Sequence, residues 1–292
     1  MSERDGSSYP PAHDAPMTSP PLSARRTPVL YLALAIAALL AAPVLMNAAA
    51  YAELARARRE NQDCQEPPRG AAAARAFVAE CLATLLILCG SLRARRSAPS
   101  STAAAHAARL LVLIPDGGAL AAAHWRLRSR LQAAGQTVVE CPAADGSFEA
   151  RTQALADRLA ALPAGPQEVV LLGVGTGGLV ARHHLRRRAT PHLRRLFTVG
   201  CPHGGSTARF ARALGWRGIG PDEPPLRRLG AADHVPDQFA VTAIASDFDA
   251  WILPPQNADY PGAFNIRIRG LGHFGLLASP RVVELLVENL DA

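Results

Sequence analysis

The chain has no lysine. All 31 basic residues among its 292 are arginine, and against 24 acids they leave a formal charge of +7. One-sided arginine usage beside abundant alanine reads as a compositional habit, not as a built polybasic face, so a nucleic-acid partner is set aside. There is no C-x-x-C pair and no zinc-ligand spacing among Cys64, Cys81, Cys89, Cys141 and Cys201. Finger and ribbon folds are thereby excluded, and neither a metal nor a cofactor is expected. Cys81 and Cys89 in an apolar segment, and Cys141 after a strand, read as small buried hydrophobes. Nothing in this cysteine usage requires an oxidising compartment.

Charge is also missing from Val29 to Met46, and the apolar run continues through Asn47 to Tyr51. That is the roughly 20 residues a helix needs to cross the hydrocarbon core. Arg25 and Arg26 precede it; Arg56, Arg58 and Arg59 follow. A cleaved signal peptide competes, since Ala-x-Ala sites lie near Asn47 and Tyr51. Its basic region would start far from Met1, and the run exceeds the roughly 7 to 15 residues of a signal core. The expected layout is a disordered Pro/Ser-rich tail over 1–27, a retained transmembrane helix over 28–50 and a connector over 51–75. A second apolar helix follows over 76–92, and then a linker over 93–108. The second helix reads as another span or as an amphipathic surface helix, with Glu80 costly in lipid unless it faces a partner. The arginines balance on either side of such a hairpin and choose no orientation. Two spans would put the tail and the rest of the chain on the same side.

The organising stretch is Val169-Val170-Leu171-Leu172-Gly173-Val174-Gly175-Thr176-Gly177-Gly178. It reads as a buried strand, a sharp turn and a helix start. Gly173 and Gly177 match the outer glycines of the G-x-S-x-G elbow, which leaves Gly175 where the serine should stand. Gly173, Gly175 and Gly178 also satisfy G-x-G-x-x-G. The ribose-binding acid due about 20 residues later is absent, however, since that neighbourhood is Phe197 to Pro202. Around this stretch the order is strand (Leu110 to Ile114), helix (His124 to Ala134), strand (Thr137 to Val139) and a Ser147-capped helix. Later come strands at Val241 to Ser246 and Asn265 to Ile268, and a helix after Pro280. This order predicts a three-layer α/β domain over 109–292 with a mostly parallel sheet. Residues 207–237, rich in Gly, Pro and Arg, suit a lid or a packed insertion carrying Phe210, Leu214 and Trp216.

From Leu110 onward the chain resembles the α/β-hydrolase superfamily, in particular its bacterial lipase and esterase-like members. Gly173 to Arg182 is similar to their Gly-His-Ser-Met-Gly-Gly-Leu-Val-Ala-Arg, and Cys201-Pro202-His203-Gly204-Gly205-Ser206 to their Thr-Pro-His-x-Gly-Thr. Their His-Gly turn is here Asp116-Gly117, with Trp125 in place and the histidine missing. The resemblance implies an acid at Asp249, with Asp247 as the alternative, and a base at His273 in a glycine-flanked loop. It further implies an oxyanion and pocket set of Asp116, Gly117 and His203, with the Thr176 N–H as donor. His203, His183 and His184 form no metal set. The last two are adjacent on a helix and point to different sides, and Arg186, Arg187 and Arg188 after them are expected to make a solvated or headgroup-facing surface.

Two functions follow from the resemblance. The first is a membrane-anchored lipase/esterase-like homologue, impaired because Gly175 holds the nucleophile position, that binds a lipid, a hydrophobic ester or a partner. The second is an active carboxylic-ester hydrolase using Thr176 or a water activated by His273 and Asp249. Membrane lipids are the expected partners in either case, and a bacterial inner membrane the expected location.

Overall fold

Among the described residues, six short, apolar strands form one sheet in the order β2-β1-β3-β4-β5-β6, every pair parallel. They are β1 (Arg109–Ile114), β2 (Val138–Glu140), β3 (Glu168–Val174), β4 (Leu193–Val199), β5 (Ala240–Ser246) and β6 (Phe264–Ile268). The computed structural model describes residues 22–60, 70–94, 107–117, 123–142, 147–162, 168–187, 190–213, 216, 220–230, 235–236 and 238–291, with backbone only for 22–29 and 91–94. The near-continuous apolar runs of β1 and β3 have the composition that parallel strands covered on both faces require. Alternation sends Leu111, Leu113, Val170 and Leu172 into one core, and Leu110, Val112, Val169 and Leu171 into the other.

The helices complete three layers. Against the first core lie α3 (Trp125–Ala133), α8 (His273–Ala278) and α9 (Pro280–Leu290); against the second lie α4 (Phe148–Ala160) and α5 (Thr176–Arg187). Ser147 caps α4 by accepting from the Ala150 N–H at 3.3 Å, and Ser279 caps α9 by accepting from Arg281 N at 3.2 Å. Each cap satisfies one of the orphan donors of a first helical turn. Two short helices, α6 (Arg209–Ala213) and α7 (Pro224–Leu229), lie in the segment between β4 and β5.

Ahead of the domain stand α1 (Leu22–Glu60) and α2 (Ala71–Ala94), each long and apolar enough to cross a membrane. The chain divides into two units, Met1–Ala41 and Ala42–Ala292, with α1 running through the boundary. This helix outruns the expected 28–50 at both ends, because Ala, Leu, Glu and Arg from 48 to 60 are all strong helix formers. The second helix starts at Ala71, directly after Gly70 at φ +56. Of the tail expected over 1–27, residues 1–21 lie outside the described residues.

The expectation that Cys81 and Cys89 are buried is corrected. Cys89 is exposed on the outer side of α2 and Cys81 is half-buried, whereas Cys141 and Cys201 are buried. Both His183 and His184 are buried. The reason is that α5 is covered: Phe148 of α4 meets the His183 ring edge-on at 5.3 Å, His184 Nε2 lies 2.8 Å from Thr190 Oγ1, and Arg186 donates to the Leu229 carbonyl.

Candidate active site

After β1 the chain runs to β2 on one side of the sheet, and it then returns to place β3 on the other. The turns that follow β1 and β3 therefore diverge, opening the crevice in which parallel α/β sheets place their sites. Gly175 forms the β3 turn at φ +52, a left-handed conformation that glycine adopts without Cβ strain. Its N–H donates to the Val199 carbonyl at 3.0 Å. At Gly177, in the first turn of α5, any side chain would run into the Ile114 and Pro115 carbonyls, so α5 approaches β1 only through glycine.

Across the sheet, the loops after β5 and β6 bring Asp249 to His273. Nδ1 of His273 lies 2.8 Å from Asp249 Oδ2, while Asp249 Oδ1 accepts from Trp251 N at 2.8 Å and Ile252 N at 3.3 Å. The carboxylate thus fixes the imidazole from one side, with its own second oxygen satisfied. Asp247 does not take part; its Oδ1 accepts from Arg267 at 2.7 Å. The imidazole stacks on Trp251 at 5.6 Å and meets the edges of Trp216 and Phe274 at 5.3 and 5.7 Å. Burial opposes the charged ring, yet the charge and hydrogen bond of Asp249, together with the carboxylates of Asp116 and Glu80, outweigh it and raise the His273 pKa above 6.5. Its Nε2 is buried and has no hydrogen-bond partner among the described residues.

Asp116 fills the ground between the two halves. Its Oδ1 accepts from Gly117 N (2.7 Å), Thr176 N (2.9 Å), Thr176 Oγ1 (2.6 Å) and Trp216 Nε1 (2.9 Å). Its Oδ2 is buried and unpartnered among the described residues, and a Cβ on Gly175 would fall inside this carboxylate. Asp116 was expected beside the backbone donors of Gly117 and Thr176; it sits on them. Thr176 Oγ1 is committed as well, accepting from Arg151 Nη1 at 2.7 Å and Gly117 N at 3.1 Å while it donates to Asp116.

His203 is not joined to this network. Arg182 Nη1 lies 3.1 Å from its Nδ1 and donates to its carbonyl at 2.8 Å; Thr198 Oγ1 lies 2.9 Å from its Nε2. An arginine only donates, so Nδ1 accepts and Nε2 carries the proton. Burial, and then the Arg182 charge, hold its pKa well below 6.5. His203 instead borders a cavity of about 660 Å³ that Arg227, Asn257 and Asp259 also line.

Three members of the site are not anticipated by the sequence reading: Arg151 on Thr176, the Trp251 stack, and the Trp216 N–H on Asp116. Arg151 has no signal of its own, being one arginine among many in the first turns of a helix. A tryptophan in a Gly/Pro-rich segment is the one sign that Trp216 carried.

Strand order and loop placement together define the class. Turns after β1 and β3 furnish paired N–H groups at a glycine elbow, an acid follows β5 and a histidine follows β6, in the chain order of the hydrolase elbow, acid and base. The chain has an α/β-hydrolase fold. No protein-family model matches the sequence, nor does any curated protein. Solved structures similar to it include a bromoperoxidase from Bacillus anthracis (15% identity, TM-score 0.43, 64% of this chain and 93% of that one). Others are a metagenome-derived lipolytic enzyme (14%, 0.47, 64% and 95%) and an esterase from Exiguobacterium antarcticum (11%, 0.43, 64% and 93%).

Proposed function

We propose that the chain is a membrane-anchored, lipase/esterase-like α/β-hydrolase homologue in which the ester-cleaving step is impaired, and which retains a role in binding a lipid or a hydrophobic ester. What carries this reading is the Asp116 carboxylate, seated on the N–H groups of Gly117 and Thr176 and in the space of a residue-175 side chain. In acyl transfer by a serine elbow, an oxygen on residue 175 would attack and His273 Nε2 would take its proton. The N–H of Thr176, with one from the β1 loop, would then hold the oxyanion. Gly175 supplies no oxygen, and the donors already hold an anion. Hydrogen bonds to a charged group are worth about 1.5–3 kcal/mol each, so a neutral ester carbonyl does not displace Asp116 from four of them. A Thr176 nucleophile is disfavoured for the related reason that its Oγ1 is taken by Asp116, Arg151 and Gly117.

The test is hydrolysis of short and medium-chain chromogenic esters by the full chain in detergent. Gly175→Ser alone is expected to stay inactive, because its side chain meets Asp116. Combining it with Asp116→His, the residue of the resembled His-Gly turn, is expected to raise turnover about 100-fold or more over wild type, and His273→Ala in that background abolishes the gain. Wild-type turnover that disappears with His273→Ala would overturn the reading.

A further inference from the structure

Both amino-terminal helices pass the length and composition test for a membrane span, but they are not equivalent. In α2 the buried positions are Ala76, Glu80, Ala83, Thr84 and Ile87, one side of the helix at i, i+4, i+7 spacing. That side is fastened along its length. Glu80 lies midway through the apolar stretch Ala71–Gly90; its Oε1 accepts from Phe274 N and its Oε2 from Gly275 N, both at 2.8 Å, at the start of α8. At the far end, a side chain on Gly90 would overlap the Trp125 indole of α3. The later part of α1 is fastened in the same way. Asn47 donates to Thr84 Oγ1 at 3.0 Å, and Glu53 accepts from Arg209 N and Phe210 N of α6 at 2.7 and 2.9 Å. Tyr51 packs on Phe248 at 4.7 Å, and Arg58 donates to the Asp247 carbonyl.

A helix docked on a water-soluble domain normally turns a polar side outward. Here the outer side of α2 carries Val78, Leu82, Leu86 and Leu88, 38–62% exposed. Were α2 to cross a bilayer, Glu80 would lie near mid-membrane with the α8 amides bonded to it, and the loop around His273 would have to follow. Irregular backbone is not tolerated in contact with hydrocarbon. By contrast α1, at 39 residues, is about 58 Å long. Crossing takes about 20 residues, which the uncharged run from Thr27 to Met46 supplies, and the remainder from Asn47 is free to dock.

We propose, resting on the membrane-anchored reading above, that α1 crosses the membrane once and that α2 lies in the membrane interface, one side clamped to the hydrolase-fold domain and the other in contact with lipid. The occupant of the Val78, Leu82, Leu86 and Leu88 face is the bilayer. Arg93, Arg95 and Arg96, which follow in the sequence, suit its headgroups. Two consequences are specific. The amino terminus and the domain lie on opposite sides of the membrane, whereas a two-span hairpin would put them on the same side. The helix bearing His273 is held at the membrane surface by Glu80.

The experiment uses the full chain with an epitope at each terminus, in sealed membrane vesicles of one orientation treated with external protease. Digestion of one epitope and protection of the other is expected, with both lost once detergent opens the vesicles. Equal protection or equal loss of the two epitopes in sealed vesicles overturns the single crossing. If equal loss is joined by release of the chain in an alkaline wash, the anchored reading falls too. Glu80→Leu supplies the independent arm. A clamped α2 predicts that hydrogen exchange at the Phe274 and Gly275 amides rises about tenfold, the loss of one charged hydrogen bond at each. A spanning α2 predicts unchanged exchange, which would overturn the clamp.

Discussion

His273 and His203 are buried to nearly the same degree, 2% and 4% exposed, on opposite faces of one sheet. His273 sits among Trp216, Trp251 and Phe274 with a carboxylate on Nδ1; His203 stacks on Tyr260 at 4.9 Å with a guanidinium on Nδ1. Burial pushes both pKa values down. The carboxylate reverses that push at His273, and the guanidinium adds to it at His203. One ring is left with a nitrogen that has no hydrogen-bond partner among the described residues and with a raised proton affinity, as a base requires; the other has both nitrogens engaged and stays neutral. Burial alone therefore does not identify a functional histidine. The charge of the group that orients it does.

The comparison breaks most sharply at Asp249. Removing it by Asp249→Ala strands the imidazole and two backbone donors in a dry site, at a cost of about 3–5 kcal/mol in unfolding free energy. Denaturant titration of the full chain in detergent measures this, and NMR should find the His273 pKa fallen below 6.5. A loss under about 1 kcal/mol would put the pair in the class of solvent-screened bridges.

On the other side, Arg182→Met removes the hydrogen bonds to His203 and the guanidinium stacked 4.1 Å over the Tyr260 ring. A smaller loss of about 2–3 kcal/mol is expected, with the His203 pKa moving up toward the usual range. An unmoved His203 titration would show burial, not Arg182, to be the whole cause.

The smallest effect is on pH dependence, where the two histidines have opposite signs. A raised pKa at His273 gives stability that is complete below 6.5 and is lost as pH climbs through the folded-state value. A depressed pKa at His203 gives stability that is complete above 6.5 and is lost as pH falls toward its folded-state value. Tm recorded between about pH 5 and 8 should lose its alkaline decline in His273→Gln and its acid decline in His203→Gln. The same decline removed by both variants would contradict the opposed partners.

Much of the domain was legible because its signals are local. Apolar runs of strand length, a glycine cluster with the spacing of an elbow, Ser147 ahead of a helix and Pro280 at the start of another all act within a few residues of themselves. The choice between Asp247 and Asp249 was narrower, and it is the side-chain direction after β5 that sends one to Arg267 and the other to His273. The burial of His183 and His184 has no local signal, because covering α5 depends on Phe148 of α4 and on α7, which lie far from it in the chain. Cys89 was misplaced because an apolar helix does not reveal which of its sides will face the domain.

By itself the sequence determined the class of fold, the lack of an oxygen at position 175, and the presence of two apolar helices before the domain. These follow from backbone preference, side-chain chemistry and run length, which need no partner. Tertiary structure alone decided that Asp116 occupies the Gly117 and Thr176 donors, that Arg151 and Trp216 lock it there, and that Glu53 and Glu80 fasten the first two helices onto α6 and α8. Apart from the adjacent Gly117 N–H, each of these joins residues 25 to 195 positions apart. Their energies depend on distances of about 3 Å and on exclusion of water, quantities that come into being only when the sheet has brought its loops together.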